Sequence, residues 1–197
     1  MFIYRVLFPC FLLILSSCSP EMYGWTNAGM DPVNVQLYVV PDSPAEIADQ
    51  KVLVVPFTVQ PHQNRDISLA VTELVREIFH QRHVFSVLDI APELHISEER
   101  MVDMAADRGF DYLMVGNIPP VMAPAGNSSG WVAMEVKVIE TRSRSEEWHI
   151  YGETALLPGN SRIYVLYDRP YESAPTVSRG FAALAGALAD VMQEKRD

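Results

Sequence analysis

Lys51-Val52-Leu53-Val54-Val55-Pro56-Phe57 is the stretch from which the fold is read. The run is continuously apolar and β-branched, without the alternation of a half-exposed strand. It therefore reads as a strand buried on both faces, as in a parallel sheet covered by helices. Pro56 has no N–H to donate, so the hydrogen-bonded part should end there. A loop with Pro61 and Asn64 follows, and Asp66 is placed to cap a helix. Ile67, Ala70, Val71, Leu74, Val75, Ile78 and Phe79 recur at three and four along one stripe, with Glu73, Arg76, Glu77 and Gln81 opposite.

Val84 to Asp89 reads as a second strand. Ser97 then precedes a helix with Glu98 and Glu99 in its first turn, where the dipole favours anions, and Met101, Met104 and Ala105 on its inner side. Gly109 stands where a C′ glycine belongs, and Asp111 to Ile118 is a third strand. Strand, helix, strand, helix, strand implies parallel pairing with right-handed crossovers. Beyond a polar loop at 119–130 the period changes. Trp131 to Thr141 alternates, Arg142 to Ser145 makes a turn, and Glu147 to Thr154 returns, with Trp131 and Trp148 expected to pair across the hairpin. An aromatic insert spans 157–175, and Thr176 to Glu194 is a final helix rich in Ala and Gly. The expected fold is α/β with a mixed sheet, β-α-β-α-β followed by an antiparallel hairpin and a C-terminal helix, in two or three layers.

At the other end, Arg5 precedes an apolar run from Val6 to Leu15 and two small residues, the layout of a secretory leader. The run is too short for a spanning helix, which needs about 20 residues. Leu15-Ser16-Ser17-Cys18 resembles the lipobox of bacterial lipoproteins, in which the Cys becomes the lipidated amino terminus. The resemblance implies a leader at 1–17, diacylglycerol on Cys18 in place of any separate cofactor, and, with Ser19 rather than Asp next to it, the periplasmic side of the outer membrane. Cys10 falls in the leader, so the mature chain holds no disulfide, and acylation disposes of a lone thiol. Residues 18–50, with Pro20, Gly24, Gly29, Pro32, Pro41 and Pro44, read as a tether from which Val35 to Val40 stands out as a short strand able to dock elsewhere. A single α/β domain is expected over 51–197.

The order of elements, together with Gly109, Asp111, Tyr112 and Gly116 around the third strand, resembles a fold group. It includes the curli-export lipoprotein CsgG, the TolB amino-terminal domain, the Pel polysaccharide lipoprotein PelC and the penicillin-binding-protein activator LpoB. The likeness covers roughly 50–155 and the last helix. A Thr-Gly turn common in the group is absent, since Arg142 follows Thr141. The resemblance implies a non-catalytic part or activator of an envelope assembly, often oligomeric.

The whole chain carries a formal charge of −10, and removing the leader takes away Arg5 and nothing acidic, leaving −11. Such a chain is a poor ligand for nucleic acid and for anionic lipid surfaces. His80 and His83 are three apart at a helix end, a spacing open to metal, but no cysteine or carboxylate completes a set; a cap on the helix carbonyls is the expected role. Asp89, Glu93, Glu98, Glu99 and Asp103 read as helix starts and solvated faces, and no nucleophile motif is present. Arg162, Tyr164, Tyr167, Arg169 and Tyr171 have the composition of an interface, or else cover one sheet edge. The expected function is a non-catalytic lipoprotein of a secretion or assembly complex (curli, polysaccharide or cell wall), partnered by an envelope protein or by copies of itself. The alternative is a periplasmic module for a small ligand or glycan.

Overall fold

Val52, Leu53 and Val54 are fully buried, and their side chains alternate between two separate cores on opposite faces of one sheet. A computed structural model of the chain describes residues 33–40, 50–60, 65–92, 96–159, 162–163, 168–169 and 173–193. All of these belong to the compact unit Val33–Asp197. Strands β1 (Val35–Val40), β2 (Lys51–Val54), β3 (Thr58–Val59), β4 (Val87–Ile90), β5 (Tyr112–Ile118), β6 (Gly130–Glu140) and β7 (Glu146–Leu156) form one sheet in the order β1-β7-β6-β5-β2-β4, with β3 also beside β5. Pairing is parallel among β4, β2, β3 and β5 and antiparallel from β5 through β6 and β7 to β1. The mixed sheet read from the sequence is the sheet observed.

Helices α1 (Arg65–Gln81) and α3 (Val177–Gln193) cover the face of Val52, Val54 and Met114, while α2 (Glu98–Asp107) covers the face of Leu53, Val55 and Leu113. The domain thus has three layers over its parallel half. Over the antiparallel half α3 packs on β6, β7 and β1, while α2 reaches the end of β6 at Ile139.

Three details depart from the sequence reading. Val35–Val40 lies inside the stretch read as tether and forms the edge strand on β7, so the sheet begins well before Lys51. Trp131 and Trp148 do not pair: their register partners are Ala155 and Val138, and one residue has an odd and the other an even place in the pleat, so they face opposite sides. The strand expected from Val84 starts only at Val87, because Val84 and Phe85 are buried against the end of α1.

Pro56 ends β2 as expected, and the consequence is handled by α1. The N–H of Phe57, just past the break, donates to Thr72 Oγ1 at 2.9 Å in a buried setting, and Thr72 donates in turn to the Ser68 carbonyl at 2.8 Å. The Ser68 hydroxyl closes the ring by donating to the Phe57 carbonyl. Thr72→Val keeps the shape but strands a buried N–H, so it should cost about 1–3 kcal/mol, seen as a lower urea midpoint at unchanged m-value.

Both α1 and α2 end in Schellman motifs. In α2, Phe110 N–H reaches Ala105 O and Gly109 N–H reaches Ala106 O, with Gly109 at φ 76°. In α1 the same bonds run from Val84 to Phe79 and from His83 to His80, but the left-handed position is held by His83 at φ 52°. His83→Gly removes the Cβ conflict and should stabilise by about 0.5–1 kcal/mol, measured as a rise in Tm.

Candidate functional site

The chain leaves β2 through α1 to reach β4 on one side, then returns through α2 to β5 on the other. The two helices lie on opposite faces, so the carboxyl ends of β2 and β5 sit where the connections diverge. This is the place in open α/β sheets where ligands collect. A crevice of about 280 Å³ opens there, with Val55, Pro56, Thr58, Met101 and Val115 in its walls and Glu98, Asn117, Glu135 and Lys137 supplying polar groups.

Glu135 and Lys137 come from β6, whose even residues fill the core under α3 and whose odd residues face the other way. The β7 partners of these two are Tyr151 and His149. A cross-strand row therefore runs Tyr38, Tyr151, Glu135, Asn117, Thr58, from the edge strand to the crevice. At its outer end the rings of Tyr38 and Tyr151 are 6.1 Å apart and tilted by 42°, within the range of a favourable aromatic pair. Tyr38 is 58% exposed. Burial, then the hydrogen bond to Glu153, holds the Tyr151 phenol above its ordinary range.

The charges form a chain. His149 Nε2 lies 2.7 Å from Glu135 Oε1, and its Nδ1 lies 3.1 Å from Glu146 Oε1. Lys137 Nζ is 3.1 Å from Glu146 Oε2, and Asn117 Nδ2 donates to Glu135 Oε2 at 3.4 Å. The hydrogen bond from His149 pulls the Glu135 carboxyl below the usual carboxylate range, against the effect of burial and with help from Asn117. The bond to Glu146 raises Lys137. A carboxyl lowered on folding stabilises the domain above its unfolded-state value, and that contribution fades as pH falls through the folded value. His149→Ala should therefore flatten the acid limb of stability. Because the pair is part-exposed, the loss at neutral pH should reach only a few tenths of a kcal/mol to about 1, read as urea midpoints at about pH 7 and about pH 3.

Other residues singled out from the sequence fall as follows. Leu15, Ser16, Ser17 and Cys18 lie outside the described residues, as do Tyr164, Tyr167 and Tyr171. Arg162 and Arg169 are backbone partners in a small two-stranded ribbon, β8 (Arg162–Ile163) with β9 (Asp168–Arg169). Of the acidic group, Glu98 lines the crevice, Asp103 pairs with Arg144 at 2.6 Å, and Glu93 lies outside the described residues. His80 and His83 meet edge to face at 6.4 Å. Glu135, Asn117 and His149 were not singled out. The alternation of β6 and β7 places two of them on one face, but which face α3 covers is a tertiary fact.

Among the solved structures that match this architecture, two of one protein are covered over nearly their whole length. One is the PelC dodecamer from Paraburkholderia phytofirmans, with a TM-score of 0.59 at 12% identity, covering 81% of this chain and 98% of that one. The fold is similar to that of PelC. A dodecamer of a singly substituted PelC from the same organism matches with a TM-score of 0.59 at 15% identity, covering 82% and 98%. No protein-family model matches the chain, and the search of curated proteins gave no match. PelC is among the proteins named above from the strand and glycine pattern, and the shared fold reaches beyond that pattern. Among the described residues no helix is long and apolar enough to cross a membrane.

Proposed function

We propose that this chain is a non-catalytic lipoprotein subunit of an envelope assembly, held on the periplasmic side of the outer membrane by acyl chains on Cys18 and working as a ring of its own copies. The observation that carries the reading is a fold seen as a dodecamer in PelC, on a chain whose residues 15–18 have the lipobox pattern. The sheet supplies a physical reason for assembly. Its two edges differ, β1 at one side and β4 at the other, and each carries apolar exposure: Tyr38 and Val40 on β1, Val87 on β4. Two unlike edges favour a head-to-tail contact, which closes into a ring when the rotation allows.

Cross-linking in intact cells, followed by sizing of the detergent-extracted protein, tests this. A ladder ending at one defined multiple is expected. A monomer at every concentration would contradict it. A second reading, a periplasmic module for a small ligand or glycan, is favoured by the crevice beside α2; a ring subunit can hold such a crevice as well.

A further inference from the structure

The crevice at the carboxyl ends of β2 and β5 has a composition that selects among ligands. Its walls are apolar, from Pro56, Val115 and the adaptable side chain of Met101. Two carboxylates, Glu98 and Glu135, face one ammonium, Lys137. That ammonium is already engaged, since Lys137 Nζ lies 3.1 Å from Glu146 on the neighbouring strand. Glu135 has two hydrogen-bond partners, His149 and Asn117, where a carboxylate can accept about four. A ligand entering here meets unspent acceptor capacity and two carboxylates to one lysine above an apolar floor.

We propose that this crevice binds an alkylammonium group, an ammonium on an unbranched apolar stem of about four to six carbons. The stem lies against Pro56, Met101 and Val115, and the ammonium reaches Glu98 and Glu135. The volume of about 280 Å³ sits just below the roughly 300–1,000 Å³ of sites for drug-sized ligands, which suits so small a group. An anion of the same length is opposed by both carboxylates, and an alcohol of that length forgoes the charge-assisted bonds. The ammonium has two sources, a free alkylamine or a lysine side chain of a polypeptide lying along the row of Tyr38 and Tyr151. The inference does not rest on the assembly reading, because the crevice is built within one copy.

The test uses the mature chain, residues 18–197, with Cys18→Ser to keep it free of lipid and ¹³C-methyl methionine as the probe. Pentylamine should move the Met101 methyl signal saturably with a Kd on the order of 1 mM or below. Pentan-1-ol and pentanoate should bind at least about tenfold more weakly. Glu98→Gln and Glu135→Gln should each weaken pentylamine roughly tenfold. Glu98 lies in the exposed first turn of α2, so its variant decides the matter even if Glu135→Gln disturbs the fold. A lysine tripeptide that binds where its norleucine counterpart does not points to a polypeptide source; pentylamine binding alone points to a free amine. No saturable shift with pentylamine, or equal binding by pentanoate or pentan-1-ol, overturns the proposal. The titration reads the same for monomer or ring, so its failure is separable from failure of the oligomer experiment.

Discussion

Phe57→Ala should destabilise the domain by about 3–5 kcal/mol, and adding Gly116→Ala to it should cost little more. Phe57 is 1% exposed and follows the break at Pro56, so its ring turns into the core beneath α1. Gly116 lies on β5 directly beneath that ring. A Cβ added there would stand 2.5–2.6 Å from three of the ring's carbons, closer than any real contact. Gly116→Ala alone should therefore cost about 1–3 kcal/mol, as overpacking does. In the double variant the new methyl enters the space the ring vacated, and the two penalties should fall well short of their sum. A double-mutant cycle in urea measures the shortfall directly. Additive penalties would mean that Gly116 serves something other than the approach of Phe57.

On the lipidation proposed above, Cys18→Ser should release the chain from the membrane altogether. Each buried CH₂ is worth about 0.8 kcal/mol, and two or more acyl chains make an anchor that one chain alone does not. The formal charge, −10 for the whole chain and −11 without residues 1–17, gives no electrostatic substitute at an anionic surface. Fractionation after a high-salt wash should find the wild-type chain wholly with membranes and the variant wholly soluble. A variant that lacks residues 1–17 and still stays bound would assign the attachment to a protein partner.

Much of the fold was legible because burial and period agree. The unbroken apolar run of β2, the three-and-four stripes of α1 and α3, and Gly109 at φ 76° each have one reading. Val35–Val40 was legible as a strand but not as the edge of this sheet, because its partner β7 lies more than a hundred residues away and local sequence carries no register. The hairpin turn was legible, and Arg142 to Ser145 does lie between β6 and β7, but its backbone was not. The positive φ that a Gly usually provides is taken by Arg144 at φ 60°, whose guanidinium is held by Asp103 of α2. Of the candidate site, the alternation of β6 and β7 put Glu135, Lys137, His149 and Tyr151 on one face. That this face is open and borders the α2 crevice depends on α3 choosing the other side, which its Ala and Gly stripe permits through close contact: a Cβ on Gly180 would lie 2.7 Å from Val132.

Intact-mass spectrometry of the chain extracted from native membranes should find a polypeptide beginning at Cys18, lacking residues 1–17 and carrying the added mass of diacylglycerol and an amide-linked acyl chain. A chain that keeps residues 1–17, or that begins at residue 18 with an unmodified thiol, would contradict the proposed anchor.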